Sequence, residues 1–324
     1  MDKLILSSKS GNYLVTVAIG NKYFYLWKKY AKTNWITYCK KNNLGLIVIT
    51  RDLIEKKNRY WKKPNWQKLL IGEYLKNKYS SKIKNVCYLD TDILINPFSP
   101  NVFKFHDENK ISVVSSVNDL PYDLNITRKK VSYLRHNFYS KSYPLDSALF
   151  MSVKQLYQYH KLKNQKNFFV SGMFVFNIKK FSKEMHKWFF KYKKNIISIT
   201  DGGEQTHVNY EFFKKNKIKI LDYKFQAMWI YEMAEKFPFL YNKKLSSKKL
   251  IIECVEKSLL DNYFLHFAGR WFEADMWKIN GIFPNPKIKF YENYYKYLKK
   301  KQSGKPKGVI IPKGREFLKK KKTL

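Results

Sequence analysis

At 324 residues, with no Pro/Gly/Ser-rich linker and no internal repeat, the chain can bury a full core, and one large α/β domain over residues 1–298 followed by a basic tail over 299–324 is the expected organisation. Its three cysteines, Cys39, Cys87 and Cys254, are widely spaced and make no C-x-x-C pair of the kind a zinc or redox site uses, so a reducing compartment is expected. The formal charge of +39, from 64 Lys+Arg against 25 Asp+Glu, calls for an anionic partner, and the absence of zinc-finger, RNP-like or basic-zipper patterns disfavours nucleic acid and leaves a nucleotide diphosphate, an acidic glycan or an anionic lipid surface.

The chain begins MDKLILSSKSGNYLVTVAIG, without the basic start, apolar core and small-residue cleavage site of a secretory signal. Charged or polar residues interrupt every apolar run well short of the roughly 18 residues a membrane span needs. A cytoplasmic protein is therefore expected. Tyr13 to Ile19 (YLVTVAI) is a β-rich run stopping at Gly20, and Leu46 to Thr50 (LIVIT) is a second, so the opening reads strand, helix, strand. After Pro64, Trp66, Leu69, Leu70, Tyr74 and Leu75 fall at helical spacing, and Val86 to Leu89 then runs straight into Asp90. That helix-to-strand rhythm is the rhythm of a parallel sheet, whose ligands bind at the carboxyl ends of the strands. Residues 111–117 and 168–178 supply further strands. The stretch of about 118–167 has weak periodicity and reads as an insertion over the sheet. The tail closes on the lysine run 319–322, a solvated segment before it is a membrane-surface anchor.

The sharpest local signal is Tyr88-Leu89-Asp90-Thr91-Asp92-Ile93-Leu94-Ile95, in which carboxylates two residues apart stand where an apolar strand ends, the oxygen donors a hard divalent cation prefers. Alone, such a pair also fits a strand end or a helix cap. With its flanks, the segment V-C-Y-L-D-T-D-I-L-I-N-P-F resembles the DxD segment of GT-A glycosyltransferases, particularly the retaining, family 8-like group similar to glycogenin and the bacterial galactosyltransferases. The resemblance implies a GT-A-type, Rossmann-like mixed sheet, mainly parallel and flanked by helices. It also implies Mn²⁺ or Mg²⁺ held by Asp90 and Asp92 against a donor diphosphate.

Other elements of that family follow in order. Ala18, Ile19, Gly20 and Tyr23 stand where the family's first strand cradles the nucleoside and an aromatic stacks on the base, although Gly20 and Asn21 replace acidic residues common there. Lys68 occupies the place of a basic residue that reaches the donor. Phe168 to Val175 is similar to the F-N-x-G strand, with Ser171 and Gly172 letting the donor sugar approach; Val170 replaces the asparagine. Gly203-Glu204-Gln205-Thr206-His207-Val208-Asn209 resembles D-Q-x-x-L-N, which makes Glu204 and Gln205 the candidate catalytic pair. Tyr263 to Trp271 looks like the H-x-x-G element, implying His266 as third metal ligand with Gly269 at the donor; Phe272 replaces the family's lysine, and Arg270 is the candidate to neutralise the diphosphate instead. The resemblance spans roughly residues 12–275.

What it implies is a glycosyltransferase moving a sugar from a nucleotide-diphosphate donor, a UDP-sugar by preference, to a glycan or lipid-linked acceptor, with retention favoured over an inverting route using Glu204 as base. Three rivals stay open. A sugar nucleotidylyltransferase should carry a Gly-rich, Arg-containing loop after the first strand, which AIGNKYFYLWKK lacks. A non-catalytic glycan- or nucleotide-binding relative should have lost its metal ligands. A nucleic-acid binder would act through its lysines alone.

Overall fold

The structure, a computed structural model, describes residues 2–79, 82–139, 150–192, 203–214, 217–269, 271–282 and 296. The tail 299–324, the middle of the expected insertion and Arg270 lie outside the described residues.

The main sheet takes up the expected apolar runs. Its strands are β1 (Lys3–Leu6), β2 (Asn12–Val17), β3 (Gly45–Ile49), β4 (Asn85–Leu89), β6 (Ile111–Ser115), β7 (Phe169–Asn177) and β8 (Ile218–Leu221), in the order β1-β3-β2-β4-β7-β6-β8. Parallel pairings join β3 to β2, β2 to β4 and β6 to β8; β1 runs antiparallel to β3, and β7 runs antiparallel to both β4 and β6. The central strands read as unbroken apolar runs because both faces are covered. Tyr13, Val15, Val86 and Tyr88 belong to one core, with Trp66 and Leu75 from helices Pro64–Gln67 and Ile71–Tyr79 and with Phe181, Met185 and Trp188 from helix Ile178–Lys191. The alternate residues Leu14, Cys87 and Leu89 are equally buried. Asn177 ends β7 and caps the following helix, its side chain accepting from the Lys180 N–H, so strand passes into helix without a loop.

The direction of β7 sets up the site. Because it opposes β4, with Leu89 level with Met173, the beginning of β7 lies beside the end of β4 and brings Ser171 and Gly172 to Asp90. The Asp90 N–H donates to the Gly172 carbonyl at 2.8 Å.

A second sheet of three short strands completes the arrangement: β5 (Ile93–Ile95) pairs antiparallel with β10 (Phe264–His266), which pairs parallel with β9 (Ala227–Met228). Its register sets His266 opposite Ile93, next to Asp92, and the Phe267 N–H donates to the Asp92 carbonyl at 3.0 Å. Helix Lys32–Asn42 braces the far side of β5. The Ile95 N–H donates to Asn34 Oδ1 at 2.6 Å, the Asn34 amide donates back to the Ile95 carbonyl, and buried Trp35 donates from Nε1 to the Ile93 carbonyl at 2.7 Å. Trp35 also packs edge-to-face on Trp27 of helix Asn21–Tyr30 at 5.8 Å, a contact contributing about 0.5–1.5 kcal/mol beyond buried area.

Within 118–167 the described residues form helices Leu124–Phe138 and Val153–Tyr159. Asp123 caps the first, accepting from the N–H groups of Asn125 and Ile126; Ser152 and Gln155 make a capping box on the second. The buried face of the longer helix is Thr127, Val131 and Arg135, and the guanidinium of Arg135 is matched by Glu273, with Nε at 2.9 Å and Nη2 at 2.6 Å from Oε1. No helix among the described residues is long and apolar enough to cross a membrane.

Candidate metal and donor site

Asp90, Asp92 and His266 meet at the carboxyl edge of β4, one ligand atom from each lying within 4.8 Å of the others. His266 Nε2 stands 3.4 Å from Asp92 Oδ1 and 3.9 Å from Asp90 Oδ2. The imidazole is buried, while the Asp90 and Asp92 side chains keep 33% and 28% of their surface, enough to leave one side of the cluster open to a ligand. Two carboxylates and one imidazole suit Mn²⁺ or Mg²⁺, and a three-residue protein set leaves coordination positions for phosphate oxygens or water.

Gly172 is the floor of this cradle. A Cβ built there would lie 2.3 Å from His266 Cε1 and 2.9 Å from Asp90 Oδ2, so any side chain would occupy the space where the ligands converge. The residues therefore fit a divalent cation both by donor chemistry and by the room kept clear for it.

Behind the carboxylates lies a buried ion cluster. Lys68, 1% exposed, places Nζ 2.7 Å from Glu204 Oε1, 3.6 Å from Asp90 Oδ1 and 2.9 Å from the Ser171 carbonyl. The Ser171 hydroxyl donates to the same Glu204 oxygen, and the Tyr88 hydroxyl donates to Asp90 Oδ1. Burial works against the Lys68 ammonium, but Asp90 and Glu204 outweigh it and raise its pKa above the ordinary lysine value. Burial lifts Asp90 above the usual carboxylate range against the pull of Lys68, with Asp92 adding to the rise. Asp92 suffers the same burial, yet the attraction and hydrogen bond of His266 bring it below that range. Carboxylates outnumber the ammonium, so the cluster favours an added positive charge.

The expected residues fall into distinct places. Asp90, Asp92, His266, Gly172, Ser171, Lys68 and Glu204 form one contiguous cluster. Lys68 and Glu204, expected to reach the donor separately, are each other's partner. Gln205 is half-buried at the first position of helix Gln205–Lys214, and its carbonyl accepts from the Asn209 side chain at 2.8 Å. Asn209 itself pairs with the backbone of Phe169, accepting its N–H and donating to its carbonyl, both at 2.8 Å, and so fixes the start of β7.

Ala18 and Ile19 follow β2 at the sheet edge that carries Asp90, since Val15 pairs with Tyr88. Gly20 has φ +94°, in the left-handed region that favours glycine, and leads into helix Asn21–Tyr30, on which Tyr23 is 56% exposed. Gly269, at φ +119°, turns the chain after β10. Two contributors carried no sequence signal as site residues. Tyr88 reaches Asp90 because residues two apart on a strand share a face. Gln226, whose Nε2 lies 3.1 Å from His266 Nδ1, comes from a 3₁₀ turn with no motif around it.

No protein-family profile matches the sequence, and no curated protein matches it. Among solved structures the chain is similar to a glycosyltransferase involved in glycosylation of the major capsid of PBCV-1, with 12% identity, 82% of this chain and 97% of that chain covered and a TM-score of 0.47. It is similar to the galactosyltransferase LgtC with 13% identity, 85% and 98% covered and a TM-score of 0.44. It is also similar to the glycosyltransferase GlyE of Streptococcus pneumoniae TIGR4 with 12% identity, 89% of this chain and 64% of that chain covered and a TM-score of 0.44.

Proposed function

We propose that the protein is a metal-dependent glycosyltransferase that moves a sugar from a nucleotide-diphosphate donor, a UDP-sugar by preference, to a glycan or lipid-linked acceptor. The observation that carries this reading is the meeting of Asp90, Asp92 and His266 over a glycine whose Cβ would fill the cradle. A bound Mn²⁺ or Mg²⁺ would act as a Lewis acid on the leaving diphosphate.

The chain's own residues then have separable tasks. Asp90, Asp92 and His266 hold the cation at the strand end where open sheets bind ligands. Lys68 holds Asp90 and Glu204 in place through its buried contacts with both, acting on the donor through them. Ala18, Ile19 and Tyr23 border the nucleoside on the same edge, with Gly20 and Gly269 allowing the backbone to turn close to it. Ser171 and Gly172 bring backbone near the sugar, and Arg270 supplies charge at the diphosphate.

The environment of Glu204 supports retention. A base for the acceptor hydroxyl needs a free lone pair directed at substrate. Glu204 is 3% exposed, and its Oε1 receives both the Lys68 ammonium and the Ser171 hydroxyl. That leaves Gln205, half-buried beside it, as the group to face the anomeric carbon and steady developing positive charge there. The Lys-rich tail 299–324 is proposed, on its charge, to rest on an anionic membrane surface near a lipid-linked acceptor.

The test is nucleotide release from UDP-, GDP- and CMP-sugars with Mn²⁺ or with EDTA, on wild type and on Asp92→Ala. Metal-dependent turnover of one donor that disappears in Asp92→Ala is expected and names the donor. Absence of both turnover and metal-dependent nucleotide binding would reject the transferase in favour of a binding protein.

A further inference from the structure

Helix Asn21–Tyr30 starts at the sheet edge that carries the site, directly after Gly20, which follows β2. Its inner side is fixed: Trp27 is fully buried and packs on Trp35 at 5.8 Å, and Phe24 stacks on Trp27 at 6.1 Å. Its outer side carries Lys22, Tyr25, Lys28 and Lys29, which recur at helical spacing along one stripe. All four are exposed, Tyr25 to 58%. Lys29 lies over the rings of Tyr25 and Tyr30 at 5.7 and 5.0 Å, so cation and aromatic are held side by side.

No carboxylate in this part of the chain answers those charges. Residues 3–51 contain neither Asp nor Glu. The acids that bound the span are engaged elsewhere, Asp2 accepting from Lys78 and Tyr79 and Asp52 from Trp61 and Gln67. Among the described residues Lys22, Lys28 and Lys29 make no ion pair, whereas exposed lysines on other faces do: Lys84 with Glu108, Lys130 with Glu235 and Lys257 with Asp261. Cations left together on one rigid helix face repel one another until an anionic partner covers them.

We propose that this helix face is a docking surface for an anionic lipid membrane, and that it turns the site edge holding Gly20 and Tyr23 toward the bilayer. The charge calls for a plane of phosphates. The tyrosine chooses among anions: a soluble polyanion needs only the cations, whereas an aromatic ring ending in a hydroxyl suits the headgroup region, its body toward the acyl chains and its hydroxyl in water. Tyr25 stands among the lysines in that way, and their long aliphatic stems let the ammonium groups reach the phosphates around it. Unlike the tail 299–324, this contact belongs to the folded body and fixes an orientation as well as an affinity. The inference rests on the transferase reading in one respect, that a lipid-linked acceptor gives the enzyme a reason to work at a membrane.

The experiment is co-sedimentation of the full-length protein with vesicles of phosphatidylcholine, with and without phosphatidylglycerol. Lys22→Gln/Lys28→Gln/Lys29→Gln should lower the phosphatidylglycerol-dependent partition by about 10-fold or more. Lys244→Gln/Lys248→Gln/Lys249→Gln removes the same charge from another exposed segment and should lower it by less than about 3-fold. Tyr25→Ser, which changes no charge, should lower it by about 3-fold or more, and carries the test by itself should the first triple variant fail to fold. Metal-dependent donor hydrolysis in solution should be unchanged in all three. Equal losses in the two triple variants, wild-type partition in Tyr25→Ser, or no phosphatidylglycerol-dependent binding by wild type would each overturn the inference and leave the transferase reading intact. Binding to soluble polyphosphate but not to vesicles would overturn it in favour of a soluble polyanion. Absence of donor hydrolysis from wild type would count against the transferase reading and not against the vesicle result.

Discussion

Replacing Gly172 by alanine adds one methyl group at the most crowded point of the site. The new Cβ would sit 2.3 Å from His266 Cε1, 2.9 Å from Asp90 Oδ2 and 3.0 Å from His266 Nδ1, against an ordinary carbon–carbon contact of about 3.5–4.0 Å. The imidazole must retreat by more than about 1 Å, whereas ligand distances in metal sites tolerate about 0.2 Å. Gly172 does not occupy the left-handed backbone region, so the whole effect comes from the side-chain collision. Overpacking of this kind costs about 1–3 kcal/mol, and loss of ligand alignment lowers metal affinity by at least about 10–100-fold. Urea unfolding and Mn²⁺ titration on Gly172→Ala measure both. The companion variant is Gly172→Ala/His266→Ala, which removes the ring that is struck: it should recover most of the lost stability relative to His266→Ala alone while binding Mn²⁺ no better. Wild-type Mn²⁺ affinity in Gly172→Ala, or a double variant with no recovery, would refute the cradle.

Two further outcomes follow from the charge networks. Lys68→Met leaves Glu204 and Asp90 without their buried counter-charge and should cost about 3–5 kcal/mol in urea unfolding, with most of it regained in Lys68→Met/Glu204→Gln; purely additive losses would count against the pair. At the N-terminus, burial works to raise the pKa of Asp2, but hydrogen bonds from Lys78 and Tyr79 prevail and bring it to about 2. Since the folded-state value is the lower one, the stabilisation is complete above the unfolded pKa and is lost as pH falls through about 2. Asp2→Asn should therefore cost about 2 kcal/mol or less at pH 7, the gap to wild type narrowing between about pH 4 and pH 2, and a gap independent of pH would exclude the carboxylate as its source.

Much of the scaffold was legible because β2, β3, β4 and β7 are apolar runs ended by turn or acidic residues, and a run that stops on Asp90 advertises both a strand and a ligand. Direction was another matter. Nothing in Phe169–Asn177 distinguishes an antiparallel strand from a parallel one, since burial on both faces erases the alternation, yet that direction sets Gly172 beside Asp90. β1 escaped notice because its apolar run is only the three residues Leu4–Leu6, too short to mark a strand by itself. Helix Leu124–Phe138 was hidden by Arg135, a charge in its buried stripe that makes sense only with Glu273 in view. At the site, residue types were readable and partnerships were not: Lys68 and Glu204 were both singled out, but no local pattern can say that one neutralises the other. Gln226 was beyond reach for the same reason, since its role lies wholly in what surrounds it.

The brace on β5 has a consequence for how the molecule keeps to itself. By bonding both the N–H and the carbonyl of Ile95, Asn34 mimics a neighbouring strand and closes that edge of the small sheet, which would otherwise be a template for pairing with another chain beside the metal cradle. At the opposite edge β9 is two residues long and runs directly into helix Trp229–Lys236, too short to recruit a partner. The large sheet has outer strands β1 and β8, and each carries a lysine, Lys3 and Lys219, the residue type that most effectively discourages edge-to-edge association. Part of the chain's excess positive charge thus stands guard over unpaired backbone.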